Sequence, residues 1–153
     1  MKKDEIFWQE VISEIDRELQ GIENLRQELK AALKEKPLFS ERIKGSIFHD
    51  FYNSCERIFR RVATSINGGF QEQERWHKEP LYRMTIPIKD IRPPLISEEL
   101  AAELDDYLSF RHIFRSIYGF ELKGNRLERL TEKFETVCER FKKEIKAFIK
   151  KMR

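Results

Sequence analysis

Apolar residues recur every three to five positions along most of this chain, with charged residues between them. That spacing places apolar side chains on one face of an α-helix, whereas a strand would need alternation at every second position. The pattern predicts five helices, over residues 4–36, 41–67, 70–84, 98–118 and 126–151. We therefore expect an all-α fold, because nothing in the pattern supports a sheet.

Proline, glycine and serine indicate where these helices begin and end. Pro37 is predicted to end the first helix, because a proline restricts the residue before it to extended conformations. Ser40 is expected to cap the second helix, which the glycine pair at 68–69 ends. Ser97, followed by two acidic residues, is predicted to start the helix that Gly119 ends. The helices are therefore expected to have mostly short connections.

The segment TIPIKDIRPPLI, residues 85–96, contains three prolines and must be an extended loop. Short connections between long amphipathic helices favour antiparallel neighbours. We expect residues 1–153 to form one domain, an antiparallel bundle of four to five helices with this Pro-rich loop before the helix at 98–118. A chain of this length buries roughly two-thirds of its unfolded surface, which is enough for a hydrophobic core.

Charged residues make up 37% of the chain, above the average of about 25%, which is typical of long helices with solvated faces. The net charge of +3 is uneven, because residues 140–153 contain seven basic side chains and one acidic one, a net of +6. Such an end could attract phosphate, or it could be a solvated helix end with cations at the negative pole of the dipole. Both interpretations remain open.

Several classes of protein do not fit the sequence. The N-terminal residues MKKDEIFWQE lack the apolar core of a secretory signal, and no stretch of 18 apolar residues occurs, so we expect a cytoplasmic protein without a membrane span. The histidines have no second ligand three or four residues away, and no Gly-rich phosphate motif occurs, so we expect neither a metal nor a cofactor. Cys55 and Cys138 lie on apolar stripes and are interpreted as reduced core thiols.

The stretch YLSFRHIFRSIYGFEL, residues 107–122, has the most specific chemistry. Arg111, Arg115 and Tyr118 are spaced to lie along one face of a helix. Apolar side chains cover most of the rest, which indicates a mostly buried helix, and arginines there need partners because an unpaired buried charge is costly. The partners are either acidic side chains or the phosphate of a ligand in a cleft. The acidic candidates are Glu103, Asp105, Asp106 and Glu121.

This stretch resembles the signature of the HepT-like group in the HEPN superfamily, in which an arginine is followed by four residues, a histidine, one residue and a tyrosine. The signature often lies within a phrase close to FRHxFRHxYGFEL, and Arg111 and Tyr118 take its arginine and tyrosine positions. The flanking residues that also match are Phe110, His112, Phe114, Arg115, Gly119, Phe120, Glu121 and Leu122. Softer likenesses in KGSIFHDFYNSCERIF (44–59), WHKEPL (76–81) and RPPLIS (92–97) extend the resemblance over about residues 40–125.

The resemblance implies a helical bundle that forms a homodimer, with the motifs of both subunits lining one cleft. It also implies a metal-independent ribonuclease of a toxin–antitoxin system, encoded beside a nucleotidyltransferase that neutralises it, in some cases by adding AMP to the motif tyrosine. On this chain Arg111 and Arg115 would then bind RNA phosphate, and Tyr118 would be the modification site.

The chain departs from the family at Ser116, which takes the position of the catalytic histidine. Cleavage of RNA by the ribose 2′-hydroxyl needs proton transfer, for which histidine suits neutral pH and serine does not. His112, one turn before Ser116, is one substitute, and His49 and His77 are alternatives. The protein is therefore either a ribonuclease that uses Arg111, Arg115 and a substitute base, or a degenerate member that keeps the fold and an RNA- or nucleotide-binding cleft. The missing histidine favours the degenerate form.

A function of a different class also fits the pattern. The long first helix and the motif helix could bury a dimer interface or a protein partner in a non-catalytic helical adaptor, with no nucleic acid involved.

Overall fold

The computed structural model describes residues 3–66, 80–116 and 124–153. These residues form five helices, which are α1 (Lys3–Ala32), α2 (Pro37–Ile66), α3 (Pro80–Arg83), α4 (Glu98–Ser116) and α5 (Gly124–Met152). No strand occurs in these three segments beyond one isolated bridge. The all-α prediction is confirmed.

The junction between α1 and α2 differs from the prediction. α1 ends at Ala32, and turn hydrogen bonds such as that from Glu35 N to Ala32 O (3.0 Å) follow it. α2 begins at Pro37, so this proline starts a helix instead of ending one, and Ser40 lies within the first turn instead of capping it. A proline suits the first helical position, because its missing N–H would have no partner there and its φ is already helical. Its neighbour Lys36 provides the first carbonyl acceptor, for Ser40 N at 2.9 Å.

The other helix boundaries lie close to the predictions where the structure describes them. α4 begins at Glu98, and the last two residues of its predicted range, 117–118, lie outside the described segments. α5 runs two residues further towards the N-terminus than predicted and one residue further at its end. Most of the predicted 70–84 helix, including His77, and the glycine pair at 68–69 also fall outside the description, which starts again at α3.

Ser97 caps α4, as predicted, and joins it to α5. Its hydroxyl oxygen accepts a hydrogen bond from Leu100 N at 3.1 Å, which satisfies one of the unpaired donors of the first turn. The Ser97 hydroxyl and backbone N–H also donate to the two carboxylate oxygens of Glu144 on α5, at 3.0 and 2.6 Å. The start of α4, the motif helix that contains Arg111, is therefore bound to α5.

The segment between α3 and α4 is held by a buried arginine. Arg92 pairs with Ile88 in the isolated antiparallel bridge, and its guanidinium donates to three backbone carbonyls, of Arg83, Ile86 and Pro93, at 3.1–3.2 Å. Burial lowers the pKa of this guanidinium. These hydrogen bonds give three carbonyl groups of the non-helical backbone before α4 a partner within the protein.

α2, α4 and α5 share an aromatic core. Neighbouring rings lie 5.1–6.4 Å apart, mostly edge to face, which is the favourable geometry for aromatic pairs. The rings are those of Phe48, Phe51, Tyr107, Phe110, Phe134 and Phe141. The Tyr107 hydroxyl is buried and donates to Leu130 O at 2.7 Å. This packing sets the rotation of α4 and so decides which of its polar side chains face α2.

α1 covers α2 and α5 with aliphatic side chains, among them the buried Val11, Ile15 and Ile22. Two apolar residues near the ends of the predicted 4–36 helix, Ile6 and Leu33, are 47% and 55% exposed. Of the described helices, none is long and apolar enough to cross a bilayer.

Candidate functional site

Arg111 lies on the face of α4 that packs against α2. One guanidinium nitrogen donates to Asn53 Oδ1 and the other to Glu56 Oε2, both at 2.9 Å. The guanidinium carbon lies 4.7 Å from the centre of the Tyr52 ring, which adds a cation–π contact. Tyr52, Asn53 and Glu56 lie within about one turn of α2, so a single turn of this helix provides all three contacts. Only 12% of the Arg111 side chain and 11% of the Glu56 side chain are exposed.

Glu56 is shared between two arginines. Its second carboxylate oxygen accepts a hydrogen bond from Arg60 at 3.0 Å, so two guanidinium groups surround one carboxylate. Two of the acidic candidates on the same helix have another partner, because Glu103 and Asp106 bind Lys133 of α5 at 2.7 and 2.5 Å. Arg111 is therefore paired with an acidic side chain, as one of the two interpretations of the sequence expected, but this acid belongs to α2.

Glu56 was missed because spacing along the motif helix carries no information on a residue 55 positions earlier. A signal was nevertheless present. Glu56 lies within the 44–59 segment that matches the family, and it is an acidic residue beside the apolar stripe of α2. A buried acid on one helix and a buried arginine on another are natural partners.

Tyr52 lies beneath the Arg111 guanidinium and is fully buried. Its hydroxyl has no hydrogen-bond partner within the described parts of the chain. Burial raises the pKa of this phenol strongly, and the negative charge of Glu56 adds to the effect. The ring therefore acts here as a neutral aromatic surface for the guanidinium.

His49 belongs to the same contact between α2 and α4. Its Nδ1 lies 3.2 Å from Asp50 Oδ1 and 3.4 Å from Asn53 Nδ2, and its ring centre lies 5.5 Å from that of Phe114 on α4. His112, by contrast, is exposed on α4. The structure thus places an alternative histidine, His49, beside Asn53, which also contacts Arg111, whereas His112 is exposed.

The remaining motif residues lie at the end of α4 and beyond it. Arg115 and Ser116 form the end of α4, but their side chains are outside the described part of the structure, as is Tyr118. The shared face of Arg111, Arg115 and Tyr118 stays a prediction.

Comparison with known proteins decides the family. A family model described as HepT-like protein matches residues 44–152, which is more than half of the chain. The chain belongs to the HepT-like family of the HEPN superfamily. At family level, this membership supports a role of the HEPN type, associated with toxins or nucleotidyltransferases. No curated protein and no solved structure matched the chain.

The matched range contains every residue of the Arg111 contact in this HepT-like protein. It begins at Lys44 of α2, so it includes His49, Asn53 and Glu56, and it continues through α4 and α5. α1 lies before the match. The residues of the contact between α2 and α4 therefore all lie within the matched range, and α1, which lies before it, packs on α2.

An open groove of about 590 Å³ lies between α1 and α2 of the HepT-like chain, next to Arg60. Its charged lining consists of Glu14, Arg17, Glu18, Arg57, Arg60 and Arg61. Arg57 donates to Glu18 at 2.9 Å, and Arg61 donates to Glu14. Both ion pairs join α1 to α2, so these two arginines of the groove are bound to acidic side chains of the facing helix.

Metal-ligating side chains and cysteines are the other residues that could carry chemistry. Within 3–66, 80–116 and 124–153, no group of three histidine, cysteine or acidic side chains is arranged to hold a metal ion. Cys55 and Cys138 are free and buried, as predicted, and burial raises the pKa of both thiols. High thiol pKa values and lack of access make them poor nucleophiles.

Proposed function

We propose that this protein is the HEPN component of a toxin–antitoxin or nucleotidyltransferase-linked system and that it binds RNA at Arg111. The observation that carries the proposal is the family match over residues 44–152, which includes Arg111 and its partners on α2. The proposal includes an antiparallel bundle in a cytoplasmic homodimer, with the Pro-rich segment before the motif helix. It also includes a cognate nucleotidyltransferase as a partner.

The Glu56 carboxylate marks the place of the phosphate. Carboxylate and phosphate oxygens both accept hydrogen bonds from the planar guanidinium fork of Arg111. If a phosphate takes the place of Glu56 at Arg111, Glu56 keeps its hydrogen bond to Arg60. The exchange therefore leaves no buried charge without a partner, which would otherwise cost several kcal/mol.

The motif chemistry of the family is degenerate in this chain, because Ser116 replaces the histidine that would transfer protons. In this proposal Arg115 contributes a second cation to the phosphate cleft. Tyr118 is the residue that a nucleotidyltransferase would modify, and phosphate groups there would repel RNA from the cleft.

The test compares two substitutions that change RNA affinity in opposite directions. Arg111→Gln should weaken binding of a fluorescein-labelled single-stranded RNA by about 1–3 kcal/mol, because a charge-assisted contact is lost. Glu56→Gln should strengthen it, because the competing carboxylate becomes a neutral amide. Both variants lose the same ion pair, so a loss of stability cannot explain opposite effects on affinity.

The matched control is Arg129→Gln, which removes one cation from an exposed position of α5. Its RNA affinity should stay close to that of the unchanged protein. Binding of the unchanged protein should also weaken as salt rises, because phosphate contacts release counterions. Equal affinities for the Arg111, Glu56 and control variants would reject Arg111 as an RNA ligand.

The contact itself also favours a second candidate, the non-catalytic adaptor. Arg111 already has protein partners, and large apolar side chains lie exposed around the junction of α1 and α2. They are Leu33, Leu38, Phe39 and Ile43. Salt-independent dimerisation without any RNA binding would favour this function.

A further inference from the structure

The two halves of α5 differ sharply in charge. Residues 124–139 contain three basic and four acidic side chains, a net of −1, whereas residues 140–153, which we call the basic segment, have a net of +6. All seven cations of the basic segment are exposed, and they are Arg140, Lys142, Lys143, Lys146, Lys150, Lys151 and Arg153. We propose that the basic segment is a second RNA-binding surface, which contacts the backbone of the RNA that Arg111 binds. The choice of RNA as the ligand rests on the proposed function.

The helix dipole explains only part of this charge. Cations are stabilised at the C-terminus of a helix, but the effect falls off within the last turn. The last turn of α5 contains Lys150 and Lys151. The basic segment begins at Arg140, about three turns earlier, where the dipole has little influence. A solvated helix end therefore does not account for the cations at residues 140–146.

The one acidic residue of the basic segment is already bound. Glu144 accepts hydrogen bonds from Ser97 of α4 and, at 3.1 Å, from Arg140. Within the described parts of the chain, the three lysines between residues 142 and 146 form no ion pair. The basic segment therefore presents an excess of positive charge to solvent.

Like charges lie about one turn apart along the basic segment. Lys142 and Lys146 are four residues apart, and so are Lys146 and Lys150. Like charges at this spacing destabilise a helix. A polyanion with charges spaced along its length compensates several of these cations at once, and the phosphate backbone of a nucleic acid is such a polyanion. The basic segment is therefore complementary in charge to an RNA strand.

An anionic membrane is the rival polyanion, and the packing of α5 argues against it. Helices that lie on a membrane bury apolar side chains in the lipid beside their cations. Phe141, Ile145 and Phe148 of the basic segment are instead buried in the protein core. In the described residues, the large apolar side chains that are exposed lie outside α5. The basic segment therefore offers charge without an inserting apolar face, which suits a nucleic-acid backbone.

The basic segment and Arg111 are far enough apart that only a long RNA could reach both. Ser97 contacts Glu144, so the basic segment begins beside the start of α4. Arg111 lies about 20 Å further along α4, at a rise of about 1.5 Å per residue. Phosphates follow one another every 3.4 Å or so along a stacked strand, so about six nucleotides would cover this distance. RNA affinity should therefore depend on length.

The experiment measures how the full chain and the triple variant K142Q/K143Q/K146Q bind a fluorescein-labelled single-stranded RNA of about 20 nucleotides. Each phosphate contact with a single strand releases about 0.7 counterion, which corresponds to about fivefold in affinity at roughly 0.1 M salt. We expect the triple variant to lose roughly 100-fold in affinity, with the slope of log affinity against log salt shallower by about 2. An RNA of about six nucleotides should bind the unchanged protein more weakly, and the triple variant should lose most of this difference.

The matched control is the triple variant K34Q/K36Q/K89Q, which removes the same charge from exposed positions outside α5. Its affinity should stay within about threefold of the unchanged protein, because distant surface charges are screened by salt. K142Q/K143Q/K146Q should unfold at the same or a higher urea concentration than the unchanged protein, because glutamine is a good helix former and like charges are removed. A loss of affinity in this variant therefore cannot come from unfolding.

The outcomes separate this inference from the proposed function. Equal losses in the two triple variants would overturn the inference, because any three cations would then serve. Unchanged affinity in K142Q/K143Q/K146Q, with weaker binding by Arg111→Gln, would also overturn it and leave the proposed function intact. The reverse result would support the basic segment and reject Arg111 as an RNA ligand.

Two further outcomes concern the ligand itself. Absence of RNA binding by the unchanged protein would overturn both proposals. The unchanged protein should stay in solution when vesicles of phosphatidylcholine and phosphatidylserine are sedimented. Sedimentation with these vesicles that K142Q/K143Q/K146Q abolishes, without any effect of this variant on RNA affinity, would assign the basic segment to a membrane and overturn the inference.

Discussion

The ion pair between Arg111 and Glu56 can be measured by a double-mutant cycle on folding. The cycle compares the unchanged protein with Arg111→Gln, Glu56→Gln and the double variant. Each substitution removes one charge and keeps a polar side chain of similar length. The interaction energy is the part of the two single effects that is not additive.

The expected magnitude follows from the contacts. The Arg111→Gln substitution removes a charge-assisted hydrogen bond to Glu56, worth about 1.5–3 kcal/mol. It also removes the cation–π contact with Tyr52, worth about 0.5–2 kcal/mol, and weakens the hydrogen bond to Asn53. Removing one partner of a buried pair costs about 3–5 kcal/mol, but Glu56 keeps Arg60 and is not left alone. We expect Arg111→Gln to lower the free energy of unfolding by about 2–4 kcal/mol, with an interaction energy of about 1–2 kcal/mol.

The assay is urea unfolding followed by the helical circular dichroism signal, with the slope of the transition checked for constancy. Arg129→Gln on the exposed face of α5 is the control and should change stability by less than about 0.5 kcal/mol. An interaction energy near zero, with folded single variants, would refute the view that the guanidinium is held by Glu56. It would also remove the argument that this carboxylate marks a phosphate position.

Two further predictions concern the motif and the thiols. Ser116→His restores the family signature and should raise RNA cleavage, measured as the rate of loss of a labelled RNA; no gain in a folded protein would contradict a catalytic cleft at this helix. Cys55 and Cys138 should not react with an aromatic disulfide reagent at pH 8 until urea unfolds the chain, because both thiols are buried and have raised pKa values. Fast release of the coloured thiolate from the folded protein would refute this.

The helices were predictable because periodicity is a local property of the chain. The stripe that runs through Phe51 and Cys55 predicts α2, and the one through Phe134 and Cys138 predicts α5, and all four residues are buried. The junction at Pro37 was predicted wrongly for a local reason as well. A proline disfavours helix before it and favours helix after it, and the pattern alone did not show which effect would apply.

The site was less predictable because its contacts join residues that are far apart in the sequence. The sequence indicated that Arg111 needed an anionic partner, and the burial of its side chain agrees with this. The partner could not be chosen from spacing, because Glu103 and Asp106 are nearer in sequence but bind Lys133. Only the packing of α4 against α2 brings Glu56 to Arg111 and His49 to Phe114.

The motif helix α4 is bound to a neighbouring helix near each end, and the two contacts differ in kind. At its start, Ser97 is bound to Glu144 by two hydrogen bonds within the protein. Near its end, Arg111 is bound to Glu56, and an incoming anion would compete for the same guanidinium. Ligand binding would then exchange an anchor to α2 for an anchor to the ligand, while the start of the helix stays fixed. Under the proposed function, occupancy of the site would therefore affect the Arg111 end of α4 and not its start.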